Sequence, residues 1–127
     1  MGKNHPLNNG IGLMRAWRAS LCSINGLKLA FTHESAFRQE LLLFLLFLPL
    51  ALWLGQSALH TLFLISLMTL VLIAELLNSA IEATVDRIGT EHHELSGRAK
   101  DTASAAIFLC LLLTALAFFV ALYEKFS

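Results

Sequence analysis

Three long apolar runs limit the folds open to this chain more than any other feature of its sequence. They cover roughly residues 37–54, 58–74 and 102–123, and no charge lies between Asp101 and Glu124. A helix needs about 20 mostly apolar residues to cross the hydrocarbon core of a bilayer. The chain is 57% hydrophobic and 14% charged, whereas soluble domains carry about 25% charged residues. The sequence therefore predicts an all-α integral membrane protein with three transmembrane helices.

These runs and the residues around them set the expected organisation of the chain. Its 127 residues suffice for a single domain. In it we expect an N-terminal surface helix over residues 13–31 and spans over residues 37–54, 58–87 and 101–123, the second of which extends past the membrane into the cytosol. Pro49 falls inside the first span, where neighbouring groups and water can satisfy the carbonyl that a proline frees.

The segment before the first span combines apolar and basic residues at mostly helical spacing. Arg15, Arg18 and Lys28 stand among apolar residues such as Trp17 and Leu21. This pattern is typical of an amphipathic helix that lies on an anionic membrane surface. The alternative is a helix that packs on the others and faces water, and we favour the interfacial position.

Lysine and arginine are unevenly distributed around the spans, and their distribution predicts the orientation. Five of the nine lie at or before Arg38, three lie between Arg87 and Lys100, none lies in residues 55–60, and the last is Lys125. Because basic loops tend to stay in the cytoplasm, we expect the N-terminus and the second loop to be cytoplasmic. The first loop and the C-terminus should face outward. No secretory signal peptide is visible in the polar N-terminal segment, so the first span should direct its own insertion.

Cysteine content and net charge exclude some classes of protein. Cys22 and Cys110 are far apart in sequence and form neither a disulfide framework nor a metal-binding spacing, so we expect two free thiols. The formal charge is balanced, with nine basic and nine acidic residues. It gives no indication of a nucleic-acid partner, and we expect none.

The second span carries a one-sided row of polar residues, here called the polar stripe: Glu75, Asn78, Glu82 and Asp86. At about 100° per residue, their side chains fall within about 80° of one another. From Ala58 to Glu75 the helix rises about 25 Å, while the hydrocarbon core is about 30 Å thick. Glu75 therefore lies near the cytoplasmic edge of the core, and Asp86 lies outside it.

A carboxylate at the depth of Glu75 is costly, by about 2.5–3.5 kcal/mol at a central site, and should face protein or a wet cleft. A helix end turned to water explains Asp86, and in part Glu82, but not the alignment of all four residues. Oxygen ligands at this spacing suit Mg²⁺, which takes one or two carboxylates together with phosphate oxygens. A carboxylate near the lipid boundary can instead accept a proton from an alcohol.

Other charged residues lie close to the stripe on the predicted cytoplasmic side: Glu34, Arg38, Glu40, Glu91, Glu94, Arg98, Lys100 and Asp101. Acids for a metal and bases for phosphates together suggest phosphoryl transfer. The motifs of soluble kinases, GxxxxGK[ST], GxGxxG, HRD and DFG, are absent from the sequence. Gly89 is expected to end the second span. His92 and His93 are adjacent and cannot share a helix face, so we interpret them as loop residues and not as zinc ligands.

Two segments of this sequence resemble a known family. Residues 75–101, ELLNSAIEATVDRIGTEHHELSGRAKD, are similar to the signature of the prokaryotic integral-membrane diacylglycerol kinases. Residues 34–40, ESAFRQE, resemble that family's segment before its first span. The order of a surface helix and three spans also matches. The resemblance implies a homotrimeric bundle in the bacterial cytoplasmic (inner) membrane that uses Mg²⁺ and ATP to phosphorylate the free hydroxyl of diacylglycerol at the cytoplasmic interface.

The resemblance also implies residue roles. Glu75 is the general base, supported by Asn78, and Glu34 and Glu82 hold the metal. The residues at the family's ATP-binding positions are Arg15, Cys22, Glu34, Glu82, Glu91, His92, His93, Lys100 and Asp101. The residues at positions that contact the lipid or line its site are Arg15, Lys28, Phe37, Arg38, Glu40, Trp53, Glu75 and Ser104.

Two other functions are compatible with a membrane protein of this pattern. An undecaprenol kinase of the same fold is the nearer one, and the HELSGRAKD run at residues 93–101 favours the diacylglycerol type by resemblance alone. A small ion or proton transporter subunit is the other, since acids within membranes also mark ion pathways. No charge lies at the middle of any predicted span, which disfavours transport.

Overall fold

The computed structural model describes residues 11–127, which form four helices and no strand. The helices are α1 (Leu13–His33), α2 (Ser35–Leu54), α3 (Ala58–Ile88) and α4 (Glu94–Phe126). By length and composition α2, α3 and α4 are able to cross a membrane. The predicted all-α class with three candidate spans is thereby confirmed. The expectation of no signal peptide concerns a segment that lies almost wholly outside the described residues.

The chain divides at Ser35 into two compact units, of which the first contains α1. Gly12 precedes α1 with a φ of 61°, a backbone conformation that glycine adopts readily. At the other end, Glu34 has an extended backbone and its amide donates a hydrogen bond to the Ala30 carbonyl at 2.9 Å. Large apolar side chains are exposed along α1, among them Trp17, with 64% of its surface accessible.

The second unit, from Ala36 onward, contains the rest of α2 with α3 and α4. All three helices contribute to one buried apolar cluster at the end where α2 passes into α3: Ala51, Leu54, Leu64, Met68, Phe118 and Ala121. The ring of Phe47 packs edge-on against Phe118, with 5.8 Å between ring centroids. The apolar core therefore lies at the end of the unit away from the polar stripe.

One face of α3 is buried along most of its length, and we call it the inner face: Leu64, Leu67, Met68, Val71, Ala74, Glu75, Asn78 and Val85. The spacing of three and four residues is that of a helix packed along its axis against a neighbour. The polar stripe thus continues the same face that builds the apolar core. Burial of this face, and not exposure to water, positions Glu75 and Asn78.

The partner of this inner face is α4, which runs antiparallel to α3. The Thr114 hydroxyl bonds the Leu67 carbonyl of α3 at 3.3 Å, and further along Lys100 bonds Asp86. Small side chains recur every seven residues on the side of α4 that is buried or half-buried: Ser96, Ala103, Cys110 and Ala117. Small residues let two helices approach closely inside a membrane.

The two connections within this unit end their helices by specific contacts. Ser57 precedes α3, and its side chain accepts a hydrogen bond from the His60 amide at 3.0 Å. A Cβ atom at Gly55 would collide with the backbone and side chain of Thr61, so the close approach requires glycine there. At the far end α3 stops at Ile88, and the Gly89 amide donates to the Val85 carbonyl. The prediction that Gly89 ends this helix is confirmed.

Candidate functional site

Burial along the polar stripe falls from its inner to its outer end. Glu75 has 4% of its surface accessible and Asn78 has 8%, and among the described residues these are the buried polar or charged side chains. Glu82 is half-buried, and Asp86 is exposed. A carboxylate that would be costly against lipid is thus enclosed by protein. The stripe leads from an enclosed carboxylate to solvent within three turns of one helix.

Asn78 lies in the middle of the stripe with one end of its amide paired and the other unpaired. Its Nδ2 donates a hydrogen bond to Glu82 Oε1 at 3.2 Å. A carboxylate only accepts hydrogen bonds, so the amide nitrogen must face Glu82. The Asn78 Oδ1 atom is buried and has no hydrogen-bond partner. Such an orphaned acceptor costs about 1–3 kcal/mol, and an ion, a water or a substrate hydroxyl is the ordinary explanation for one.

The outer end of the stripe is tied to α4 by an ion pair. Lys100 Nζ lies 2.8 Å from Asp86 Oδ1 and donates a hydrogen bond to it. The Lys100 ammonium also interacts favourably, and more weakly, with the Glu82 carboxylate. The cation of Lys100 is therefore held at the outer end of the stripe by Asp86. Sequence spacing alone did not indicate this pairing, because it depends on which face of α4 meets α3.

The short connection between α3 and α4 brings exposed polar residues to the same end of the unit. His93 precedes α4, and its Nδ1 accepts a hydrogen bond from the Leu95 amide at 3.1 Å. The Glu91 carboxylate lies close over Gly89, where an added Cβ would come within 2.6 Å of it. His92 is exposed in the same connection. Within residues 11–127, no three His, Cys, Asp or Glu side chains gather into a group able to hold a metal.

An apolar groove of about 190 Å³ opens between α2, α3 and α4. Its lining is Glu40, Leu43, Phe44, Phe47, Met68, Val71, Leu111, Thr114, Ala115 and Phe118. Glu40 is the charged member of this lining. Val71 of this lining precedes Glu75 by one helical turn on the inner face, so the groove comes within about one turn of the buried carboxylate. Sequence reasoning missed the groove because its aliphatic and aromatic residues look the same as residues that face lipid.

The other residues singled out by the resemblance fall into three groups. Phe37 is buried near the start of α2, and Arg38 beside it is exposed. Asp101 and Ser104 lie on α4 near the stripe's outer end, both exposed. The members in the first unit are exposed apart from Glu34, which is half-buried: Arg15, Cys22, Lys28 and Glu34.

Trp53 is not brought together with the stripe. Its indole ring lies 6.0 Å from the Phe126 ring and 4.8 Å from Lys125 Nζ, measured to ring centroids. The same Nζ donates a hydrogen bond to the Trp53 carbonyl at 3.1 Å. This cluster is at the end of the unit where α3 begins, about 25 Å along the helix from Glu75.

Comparisons with known proteins all find that this chain is similar to members of one family. The family model described as prokaryotic diacylglycerol kinase matches residues 21–122. The diacylglycerol kinase of Escherichia coli (strain K12) is 46% identical over 120 residues, which cover 94% of this chain and 98% of that protein. That of Haemophilus influenzae is 49% identical over 100 residues, 79% of this chain and 85% of the other. That of Pseudomonas aeruginosa is 46% identical over 106 residues, 84% and 86% respectively. The range matched by the family includes the whole polar stripe.

Proposed function

Because the chain belongs to the prokaryotic diacylglycerol kinase family, we propose that it transfers the γ-phosphoryl group of ATP to the free hydroxyl of a diacylglycerol. The products are phosphatidate and ADP. The burial gradient of the polar stripe carries this proposal, because it leads from an enclosed carboxylate at Glu75 to solvent at Asp86. A lipid alcohol approaches the inner end from the bilayer, and a nucleotide approaches the outer end from water.

The proposed role of Glu75 is that of general base. The lipid hydroxyl gives its proton to the Glu75 carboxylate while its oxygen bonds to the γ-phosphorus of ATP. The bond from that phosphorus to the β–γ bridging oxygen breaks, and ADP leaves. Proton transfer needs the base within about 2.6–3.2 Å of the hydroxyl, so a carboxylate enclosed by packed helices suits the task. Most of the acceleration in such reactions comes from positioning and charge stabilisation.

We propose that Glu82, whose carboxylate is half-buried, helps to hold Mg²⁺. Asn78, whose Nδ2 donates to Glu82 Oε1 and whose buried Oδ1 is unpaired, is proposed to support Glu75. Mg²⁺ takes one or two carboxylates and completes its shell with phosphate oxygens and water, so a site without three gathered acids is compatible with it. We propose Glu34 as the second carboxylate. When bound, the ion supplies neutralisation of charge on the β- and γ-phosphates.

The proposed nucleotide contacts gather around the connection between α3 and α4. Lys100 offers an ammonium for phosphate oxygens, and Glu91, His92, His93 and Asp101 offer polar groups to the ribose and base. Arg15 and Cys22 of α1 are proposed to complete the site. The exposure of these side chains to solvent supports the proposal, because ATP must enter from the aqueous side.

The proposed lipid contacts follow the apolar groove. Its aliphatic and aromatic lining suits an acyl chain, and Glu40 stands where a polar headgroup would meet it. Phe37, Arg38 and Ser104 are proposed to line the path to Glu75, and Arg15 and Lys28 to hold the headgroup region from α1. Trp53 lies far from Glu75, so its proposed role is contact with bilayer lipid at the other membrane interface.

Three apolar helices in a prokaryotic family make this a membrane protein. We propose the inner membrane as its location, with the N-terminus and the stripe's outer end in the cytoplasm and the C-terminus outside. The exposed apolar residues of α1 support a position at the membrane surface. We also propose a homotrimer, because large apolar side chains are exposed along α4, among them Phe108, Leu112 and Phe119. A mass near three 14.0 kDa chains in detergent solution would support it, and an active monomer would contradict it.

A phosphorylation assay tests the proposed function. Purified protein in mixed micelles receives Mg²⁺, labelled ATP and either a diacylglycerol or undecaprenol, and the expected product is labelled phosphatidate. A clear preference for undecaprenol would replace the proposal with a polyprenol kinase of the same fold. Absence of lipid kinase activity, together with proton flux in vesicles, would replace it with transport.

A further inference from the structure

The ion pair between Asp86 and Lys100 joins α3 and α4 at their cytoplasmic ends. Asp86 lies two residues before the end of α3, and Lys100 is the seventh residue of α4. The two residues meet at the edge of the contact between the helices, since Lys100 precedes the buried Ala103 by about one turn and its ammonium bonds Asp86 directly. The Nζ–Oδ1 distance of 2.8 Å is that of a charge-assisted hydrogen bond.

Folding stability does not account for this pair. Its side chains are 41% and 56% exposed, and ion pairs this accessible contribute only about 0–1 kcal/mol. The inner face of α3 and the small-residue side of α4 already hold the two helices together through buried contacts. What the pair does change is the freedom of Lys100, a long flexible side chain that otherwise samples many rotamers. The Asp86 carboxylate confines its ammonium to one place, about one helical turn along α3 from Glu82.

We propose that Asp86 is a positioning residue, which holds the Lys100 ammonium at the outer part of the polar stripe, where it meets the β-phosphate of ATP as that phosphate leaves with ADP. The inference rests on the proposed function, in which Lys100 contacts nucleotide phosphate. A cation that is already in place when charge shifts toward the leaving phosphate needs no reorganisation in the transition state. Asp86 and Lys100 keep their charges throughout, and the hydroxyl proton goes to Glu75.

This role predicts that catalysis is impaired while nucleotide binding is not. Without the Asp86 charge, Lys100 remains a cation but loses its fixed position, so turnover falls. ATP in the ground state loses a repelling carboxylate and keeps an attracting ammonium, so its apparent affinity does not fall. A residue that only fastened two helices would lower stability and leave no such split between kcat and KM.

Kinetics of the full chain in mixed micelles test the proposal. We expect Asp86→Asn to lower kcat about tenfold, the effect of about 1.4 kcal/mol in the barrier, with the KM for Mg-ATP unchanged or lower. Asp86→Glu should recover part of the lost kcat. In a Lys100→Met background, Asp86→Asn should change kcat no further, because the group that it positions is gone. Glu124→Gln, which removes an exposed acid at the other end of α4, is the matched control and should behave as wild type.

A charge reversal separates positioning from simple fastening. Asp86→Lys combined with Lys100→Asp keeps an ion pair between the helices, so the melting temperature should stay near that of wild type while kcat stays low. Wild-type kcat in this double variant would overturn the proposal, as would an undiminished effect of Asp86→Asn in the Lys100→Met background.

The wild-type enzyme is the reference that separates failure of this inference from failure of the proposed function. If it fails to phosphorylate diacylglycerol, the proposed function fails, whereas equal kinetics of an active wild type and Asp86→Asn overturn this inference alone.

Discussion

At the scale of single residues, Glu75 is the side chain whose chemistry is most readily isolated. We expect Glu75→Gln to lower kcat by about 10²–10⁴, the usual contribution of a positioned general base, while Mg-ATP binding is retained. The amide has nearly the volume of the carboxylate, so packing on the inner face is kept. Steady-state kinetics and a direct nucleotide-binding measurement on the same preparation would check this, with Glu124→Gln as the control. Wild-type turnover in Glu75→Gln would exclude the general-base role.

Glu82 should respond differently, because its proposed task is to hold the metal that accompanies ATP. We expect Glu82→Gln to raise the KM for Mg-ATP about tenfold or more, since a neutral amide is a weaker ligand for Mg²⁺. Initial rates over a matrix of Mg²⁺ and ATP concentrations would measure the change. A loss of turnover with nucleotide affinity unaltered would count against a ligand role for Glu82.

Helical periodicity predicts which polar residues of α3 share a face, but not which residues of α4 they meet. The alignment of Glu75, Asn78 and Glu82 follows from their spacing alone, and the burial of Glu75 follows from its depth in a bilayer. The pairing of Asp86 with Lys100 does not follow, because it depends on how α4 is rotated about its own axis. Residues that share an element are linked by its geometry, whereas residues on different elements are linked only by packing.

At the scale of the helices, the buried cluster at the start of α3 provides a stability prediction. Leu64 is fully buried between α2 and α4, whereas Leu62, two residues earlier on the same helix, is 58% exposed. We expect Leu64→Ala to destabilise the protein by about 2–5 kcal/mol, because it leaves a cavity among packed neighbours. Leu62→Ala should cost about 0.5 kcal/mol or less. Thermal denaturation in one detergent would compare the two, and equal losses would contradict the packing described.

The helices themselves were predictable from the sequence, but their contacts were only partly so. Apolar runs near 20 residues require helices in a bilayer, because backbone groups there must be paired within the segment. On α3 the polar stripe marks the inner face, so its direction was also predictable. Over residues 103–123 of α4 apolar residues cover every side. Small residues lie on the face that meets α3, at Ala103, Cys110 and Ala117, but also at exposed positions such as Ala105 and Ala106, so they did not mark that face. The groove beside them was for the same reason invisible in the sequence.

At the scale of the whole molecule, two natural cysteines allow the proposed orientation to be tested. Cys22 is exposed on α1, and Cys110 is half-buried within the apolar span of α4. We expect a membrane-impermeant thiol reagent to label neither cysteine in intact spheroplasts and to label Cys22 after lysis, because the proposal places α1 at the cytoplasmic surface. Cys22→Ser is the control. Labelling of Cys22 from outside the intact cell would contradict the orientation.

The contacts of Trp53 with Phe126 and Lys125 make this tryptophan a natural fluorescent probe of the second unit. The chain has two tryptophans, Trp17 on α1 and Trp53 at the end of α2. In a Trp17→Phe variant the remaining emission comes from an indole that Phe126 and Lys125 contact across the junction of α2 with α4. Its spectrum would change when that junction opens. Opening of the unit at the end where α2 passes into α3 could therefore be followed by fluorescence, separately from loss of kinase activity.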